Sequence, residues 1–587
     1  MKRTVTCGDL RPEHAGESVV LNGWVHRTRD HGGIHFLNIR DRYGITQVVV
    51  DQDAAEETRK LTENIRMEFC IAVRGTVRTR PDTMINPDMP TGGIELAAES
   101  IQILSSCEVL PFMIDDETET REDLRLQFRY LDLRSFGMQK RIALRNQVSF
   151  RVREYLQNQG FYEIETPTMI KSTPEGARDF LVPSRLNPGS FYALPQSPQL
   201  YKQLLMVSGF DRYFQLAHCF RDEDARGDRQ PEHTQIDMEM SFVSRDDVFA
   251  VTEGLMGHIF ASTLGTELPQ TFPRLTYHDA MNRYGSDKPD LRFELEMQDF
   301  SPFAEGSGFG VFESVVSGGG CIKTLVVPGG AEFSRKQITE LEDVAKTYHA
   351  KGLAFTKVTA DGLESGIGKF FTARATEIRS TFGANEGDLL LFVADSWKVA
   401  CTALGAVRSR LGSQLELIDS SKFAFAWIVD FPLFDWHEEL QKWEPAHHMF
   451  TMPRAEYIDS MEQDPGVVKG DLYDLVCNGY EMASGSIRVH DPELQQRIFD
   501  IVGFPREEAE KRFGFLLRAF RYGAPPHGGI APGLDRLLMV MSGSPTIREV
   551  IAFPKNTQGI SPMDECPSPI DDDQLRDLGL MRIPEET

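Results

Sequence analysis

Cysteine is scarce in this chain: eight in 587 residues, widely separated, with no CxxC pair. That argues against a disulfide framework and against a zinc site, so no zinc is expected. No apolar run approaches the roughly 20 residues that cross a membrane, and no membrane partner is expected. The opening Met1-Lys2-Arg3-Thr4-Val5-Thr6-Cys7 lacks an apolar signal core, which makes the cytoplasm the expected compartment. Basic charge is also in deficit: 63 Lys and Arg stand against 88 Asp and Glu, a net charge of −25. This excludes a chain that is basic all over. It does not exclude nucleic acid, whose binding depends on local patches. Arg27, Arg29, Arg40 and Arg42 form one candidate stripe; Arg74, Arg78 and Arg80 form another. Hydrophobic content of 41% is ordinary for a globular chain, and the length predicts three or four domains.

The first hundred residues read as short strands. Val19–Val25, Phe36–Arg40, Thr46–Val50, Phe69–Val77 and Ile94–Ala97 carry strand patterning, with the turn Asp41-Arg42-Tyr43-Gly44 between the second and third. Five strands with basic residues predict an OB-fold, which binds single-stranded nucleic acid. Phe36, Asn38 and Arg40 share the face opposite Leu37 and Ile39, so Phe36 is a candidate base-stacking platform.

Further on, Gln215, Ala217, Cys219, Arg221 and Glu223 fall on one face of a strand. After a loop, Gln235, Asp237, Glu239 and Ser241 alternate with Ile236, Met238 and Met240. Two antiparallel strands with a polar face of opposite charges point to a site. Some three hundred residues later, Gly528-Gly529-Ile530-Ala531-Pro532-Gly533 precedes Leu534-Asp535-Arg536, and Leu534, Leu537, Leu538 and Met541 recur at helical spacing. Arg536 is therefore expected in the first turn of a buried helix, where the helix N-terminus adds positive potential for a phosphate. Gly366-Ile367-Gly368-Lys369-Phe370 superficially suggests a P-loop, but Leu363 holds the first glycine position and Phe370 replaces Ser or Thr, so a plain loop is expected.

Phe220-Arg221-Asp222-Glu223 and Gly533-Leu534-Asp535-Arg536 resemble motifs 2 and 3 of the class II aminoacyl-tRNA synthetases. Gly160-Phe161-Tyr162-Glu163-Ile164-Glu165-Thr166-Pro167, after an amphipathic helix with Leu144, Val148, Val152, Tyr155 and Leu156 on one face, resembles motif 1. Thr173–Asp179, Gln196–Lys202 and Ile551–Lys555 extend the resemblance to the bacterial-type aspartyl group over nearly the whole chain. It implies an OB-fold anticodon-binding domain (1–107), a hinge (108–139) and an α+β catalytic domain on an antiparallel sheet (140–293 and 419–560). An α+β insertion would occupy 294–418 and a C-terminal extension 561–587.

The resemblance implies the chemistry as well: aspartate is activated with ATP to aspartyl-adenylate plus pyrophosphate, then passed to the 3′ end of tRNA-Asp. Arg221 and Arg536 become the catalytic arginines, on the α- and γ-phosphates. Asp222, Glu223, Gln230, His233, Glu481, Gly533, Leu534 and Asp535 join them at ATP. His233 stands where many relatives have phenylalanine. Asp474 and Glu481 match magnesium ligands, so Mg²⁺ is the expected cofactor. Aspartate is expected at Glu175, Ser197, Gln199, Lys202, Arg221, Asp237, His447, His448 and Arg488. Its side-chain carboxylate would meet Lys202 and Arg488, with Asp237 orienting the lysine. Ser197 is expected to cap the helix carrying Lys202, with Pro198 at its first position. Arg29, His31, Phe36, Gln47 and Glu95 match anticodon contacts. Motif 1 implies a C₂ homodimer.

A sister synthetase for asparagine or lysine shares these motifs, but asparagine would leave Lys202 and Arg488 unpaired and lysine would need acidic partners. A non-catalytic tRNA-binding paralogue is expected to have lost Arg221, Arg536 or a metal carboxylate. An ammonia-using asparagine synthetase would not need the OB-fold. His31 leaves open whether tRNA-Asn is charged too.

Overall fold

Alternating apolar residues close the N-terminal strands on themselves. In the computed structural model, which describes residues 1–116, 119–173 and 176–583, β1 (Ser18–His31), β2 (Ile34–Asp41), β3 (Gly44–Val50), β4 (Cys70–Thr79) and β5 (Ile94–Ser105) form a closed barrel in the order β1-β2-β3-β5-β4. Val19, Leu21, Leu37, Ile39, Val48 and Val73 fill it. Closure removes the sheet edges that would otherwise stay unpaired. The barrel corrects both basic stripes. Arg40 is buried on an ion pair of 2.8 Å with Glu68, and Arg80 is buried with its Nε donating to the Ile94 carbonyl at 2.8 Å. Arg27, Arg29 and Arg42 remain accessible, as do Arg74 and Arg78.

Two compact units divide the chain. One is Met1–Ala143 with Ala552–Asn556 and Ile560–Pro567; the other is Leu144–Ile551 with Thr557–Gly559 and the residues from Ser568 onward. The helix α1 (Phe136–Asn158) buries Val148, Val152 and Leu156 in the second unit. Gly160 follows it at φ +79°, which a side chain rarely adopts, and lets the Phe161 N–H turn back to the Leu156 carbonyl at 3.0 Å.

The main sheet of this unit has eight strands: β6 (Tyr162–Glu163), β7 (Arg212–Phe220), β8 (Glu232–Ser241), β9 (Arg274–Thr276), β15 (Phe425–Val429), β16 (Leu472–Cys477), β17 (Tyr480–Ile487) and β18 (His527–Pro532). Their order is β9-β15-β16-β17-β18-β8-β7-β6. The sheet is antiparallel through its centre, but β6 pairs with β7 and β9 with β15 in parallel, so it is mixed at both edges. Its core joins α1, the helix α3 (Arg245–Leu264) and Trp427, which stacks on Phe249 at 4.0 Å.

Residues between β9 and β15 build their own five-stranded sheet from β10 (Gln298–Asp299), β11 (Cys321–Val327), β12 (Ala354–Thr359), β13 (Gly362–Glu364) and β14 (Leu389–Asp395), ordered β10-β11-β14-β12-β13. The Gly366–Phe370 segment holds a 3₁₀ turn, Gly368–Phe370, and a second turn, Thr372–Arg374, separates it from the helix Ala375–Phe382.

Candidate active site

Three central strands deliver the charged cluster at the base of the site. Period two along β8 turns Asp237 and Glu239 to one face. The cross-strand row Glu239, Gly529, Ser486 runs from β8 through β18 to β17. Gly529 has no room for a side chain: a Cβ there would sit 2.2 Å from Glu239 Oε2 and 2.1 Å from the Met238 carbonyl. The missing side chain lets Glu239 reach Arg488, whose Nε and Nη2 donate to its two oxygens at 3.0 and 3.2 Å. Arg488 Nη1 donates to Ser486 Oγ at 2.7 Å. Lys202 comes from the helix α2 (Gln199–Val207) and lies 2.6 Å from Asp237 and 3.2 Å from Glu239.

The cap of α2 differs from expectation. Pro198, not Ser197, is the N-cap residue, and Ser197 Oγ accepts the Gln199 N–H at 3.3 Å. The proline nitrogen has no proton to give, so it sits just outside the first turn, while its carbonyl takes the Lys202 N–H at 3.0 Å.

Glu239 is the residue that the sequence reading passed over. It bridges both cations, and its signal was present in the alternation of Asp237 and Glu239 beside Gly528-Gly529. It also overturns the argument that a neutral substrate amide would strand two cations: two carboxylates already balance Lys202 and Arg488. What remains is directional. Lys202 has three N–H donors and Arg488 five, so one ammonium and two guanidinium N–H groups are left over. The spare buried acceptor in the cluster is Asp237 Oδ2. Donors in excess suit a carboxylate, which only accepts.

Electrostatics fix the protonation of this end. Burial alone would raise Glu239, but Arg488 and Lys202 hold it down to about 2. Burial raises Asp237 despite Lys202. His448 is pushed down to about 3 by burial, then by Arg488 and Lys202, so its imidazole is neutral. Its Nδ1 accepts the Phe450 N–H at 3.2 Å, which leaves the proton on Nε2 as one more donor. Burial lowers His447 as well.

The other end is built around two arginines. Arg221 falls one residue beyond the end of β7, where its N–H donates to the Pro231 carbonyl at 2.8 Å; its Nε is buried without a partner. Arg536 is the third residue of the helix α4 (Leu534–Ser542), in the first turn as expected. Its Nη1 donates to the Glu481 carbonyl and its Nη2 meets Asp228 at 3.1 Å, while its Nε is buried and unpartnered. His233 is pushed down to about 3 by burial and by Arg221, Arg536 and Arg229. Asp535 ties α4 to the sheet: its oxygens take the Thr234 N–H at 2.7 Å and the Arg145 guanidinium.

One cavity of about 360 Å³ joins the two ends. Ser197, Gln199, Lys202, Arg221, Glu223, Gln230, His233, Asp237, His447, His448, Glu481, Arg488, Gly533, Asp535 and Arg536 line it. Asp222, Leu534 and Asp474 do not: Asp222 donates its N–H to the Arg178 carbonyl at 3.2 Å, and Leu534 is buried in the core. Glu175 lies outside the described residues. Asp474 sits behind the lining on β16, with Oδ1 buried and unpartnered, and burial and then Glu481 raise it well above the usual carboxylate range. Among the described residues no group of three or more His, Cys, Asp or Glu gathers as a metal site. A pair of hard carboxylates with an orphaned buried oxygen nonetheless fits a cation that takes its remaining ligands from phosphates and water.

The five anticodon candidates lie in the barrel. Arg29 pairs with Phe36 across β1 and β2, and His31 is exposed at the hairpin end. Gln47 donates to Glu95 at 3.0 Å, and Arg78 binds the other Glu95 oxygen at 2.8 Å.

Residues 121–557 match the family described as tRNA synthetases class II (D, K and N). The chain belongs to this family. Residues 19–104 of this class II synthetase also match the OB-fold nucleic acid binding domain. A protein of Treponema denticola named aspartate–tRNA(Asp/Asn) ligase is 63% identical over 99% of both chains. Proteins of the same name from Geotalea uraniireducens and Borreliella afzelii are 51% and 48% identical, covering 99% and 100% of this synthetase and 98% and 100% of their own lengths. Among solved structures, the asparaginyl-tRNA synthetase of Pyrococcus horikoshii with asparaginyl-adenylate shares the fold at TM-score 0.59 and 19% identity, covering 94% of this chain and 98% of that one. The aspartyl-tRNA synthetase of Entamoeba histolytica does so at 0.57 and 20%, covering 94% and 92%.

Proposed function

We propose that this synthetase activates L-aspartate with ATP and esterifies it to the 3′ end of tRNA-Asp and of tRNA-Asn. The observation that carries this reading is the cavity: excess N–H donors from Lys202 and Arg488 at one end, two arginines with unpartnered guanidinium nitrogens at the other. The names of the full-length relatives support aspartate over asparagine, and their two-tRNA designation supports charging of both tRNAs.

In the first step an α-carboxylate oxygen of aspartate attacks the α-phosphorus of ATP. The bond to the bridging oxygen breaks and pyrophosphate leaves with that electron pair. Charge grows on the phosphate oxygens, so the protein's work is positioning and electrostatic stabilisation. Arg221 offers a planar fork to the α-phosphate. Arg536, with the α4 N-terminus behind it, holds the γ-phosphate. Lys202, Arg488 and the Nε2 proton of His448 hold the side-chain carboxylate, while Ser197 and Gln199 face the amino group. Neutral His233 lies against the adenine. Asp474 and Glu481 would hold Mg²⁺, which when bound neutralises phosphate charge. In the second step a terminal ribose hydroxyl attacks the adenylate carbonyl and AMP leaves.

The barrel receives the anticodon on Arg29, His31, Phe36, Gln47 and Glu95. Phe150, Tyr162 and Phe242 are 60%, 64% and 73% exposed in the second unit, and a second copy of the chain covers them in a C₂ homodimer. The enzyme works in the cytoplasm.

Aminoacylation with labelled aspartate, ATP and magnesium on separate tRNA-Asp and tRNA-Asn transcripts tests the reading. Charging of both is expected. Charging of tRNA-Asp alone removes the two-tRNA assignment, and charging of neither, or a preference for asparagine, removes the reading.

A further inference from the structure

In a chain of net charge −25, the barrel unit carries one dense cationic patch away from the anticodon candidates. The Asp41–Gly44 turn, Arg3 and Trp24 surround an open cavity of about 480 Å³ with Gln139. Arg42 lies over the Tyr43 ring at 4.6 Å, and Arg3 over the same ring at 5.8 Å. Arg134 lies over Trp24 at 4.9 Å. Tyr43 is 49% exposed. Asp41 pairs with Arg3 at 3.2 Å and Glu68 with Arg40 and Arg134 at 2.8 and 3.0 Å. Arg40 is buried on Glu68, so the accessible cations of the patch are Arg3, Arg42 and Arg134, and Arg42 has no ion-pair partner among the described residues.

We propose that this patch is a second RNA contact, which binds the sugar–phosphate backbone of the tRNA outside the anticodon. Three features on the page converge on RNA. The surplus cations sit beside exposed aromatic surface, the pairing that binds phosphates and unstacked bases. Gln139 Oε1 is buried and unpartnered in the cavity wall. An acceptor there finds nothing in a phosphate, which only accepts, but it takes a ribose 2′-hydroxyl, the group that separates RNA from DNA. The position separates the patch from the anticodon candidates. Phe36 and Asp41 lie five residues apart along β2, roughly 17 Å at about 3.3 Å per residue, with Tyr43 beyond. The contact rests on the tRNA-charging function but not on which amino acid is charged.

The test is tRNA binding by the full-length enzyme over a salt series, using Arg42→Glu, Gln139→Leu and Phe36→Ala, with ATP–pyrophosphate exchange as the folding and activation control. Arg42→Glu is expected to weaken tRNA about tenfold and reduce the salt slope by about one. Gln139→Leu is expected to weaken it several-fold with the slope unchanged, because no charge is lost. Exchange stays at the wild-type rate in both. On a tRNA with a substituted anticodon, the Arg42→Glu loss should multiply with the anticodon loss, as separate sites do, whereas Phe36→Ala should lose its sensitivity to the anticodon. Unchanged affinity and slope in Arg42→Glu overturn the proposal and leave the patch to an acidic protein partner. So does an Arg42→Glu effect that vanishes on the substituted tRNA. Wild-type enzyme that binds tRNA but exchanges no pyrophosphate with aspartate instead overturns the proposed function and leaves the patch standing.

Discussion

At one end of the cavity Lys202, Asp237, Glu239 and Arg488 are at most 5% exposed and are paired with one another. At the other, Arg221 and Arg536 keep unpartnered guanidinium nitrogens, and the carboxylate that touches Arg536 belongs to Asp228, whose side chain is 33% exposed. The end proposed for the amino acid is a buried ion-pair network laid across the sheet, in which Arg488 and Lys202 hold Glu239 down to about 2. The end proposed for the phosphates is assembled from a strand end, a loop and a helix first turn. Recognition of a small substrate needs fixed donors, and a rigid buried network supplies them. A polyphosphate, proposed for the other end, would meet guanidinium nitrogens that no protein acceptor holds.

Breaking the paired end should cost the most. Glu239→Gln leaves two buried cations against one carboxylate, and removing one partner of a buried ion pair costs about 3–5 kcal/mol. A lowered denaturant midpoint together with loss of aspartate-dependent pyrophosphate exchange is expected. Wild-type stability would show that Glu239 is not the bridge described. Arg221→Lys tests the open end. It keeps the charge but loses the fork, so exchange should slow about 10²–10³-fold, the cost of one removed transition-state donor. Its denaturant midpoint should stay put, because Arg221 Nε has no protein partner to lose.

Acidity acts on both ends at once. His448 and His233 each fall from 6.5 unfolded to about 3 folded. Between those values the unfolded chain binds the extra proton, so stability rises with pH. The contribution is full above pH 6.5 and is lost as pH falls toward 3, at up to about 1.4 kcal/mol per pH unit for each histidine. Glu239, held near 2, adds a loss of the same sign that begins only below about pH 4.5. His448→Gln and His233→Phe should each flatten the pH 4–6 slope of the denaturation midpoint by about one proton. A slope unchanged in both variants would sink the assignment of buried neutral imidazoles.

The ends also differed in how far the sequence disclosed them. Arg536 in its helix turn and the alternation on β8 were readable, because periodicity and a preceding glycine run are local signals. Pairing across strands is not local. Arg40 reads as a surface base until β2 turns it onto Glu68, and the bridge from Glu239 to Arg488 spans 249 residues. The parallel edges of the sheet were hidden for the same reason, since β6 and β9 are two and three residues long. Asp474 shows a further limit: two acidic residues spaced seven apart carry no mark of which one is buried behind the lining.

The smallest expected effect sharpens the comparison most. Asp228 occupies the Arg536 nitrogen that the γ-phosphate is proposed to take, so its carboxylate and ATP compete for one guanidinium. A partly exposed ion pair is worth about 0–1 kcal/mol, and at about 1.4 kcal/mol per tenfold this bounds the competition to a few-fold in ATP affinity. Asp228→Asn should therefore lower the KM for ATP by up to a few-fold in pyrophosphate exchange. It should leave the KM for aspartate and the denaturant midpoint unchanged, because Asp228 touches nothing in the Glu239 network. A raised KM for ATP would mean that Asp228 serves the bound nucleotide rather than standing in for it. The phosphate end would then be preorganised like the other, and the contrast between the two ends would fail.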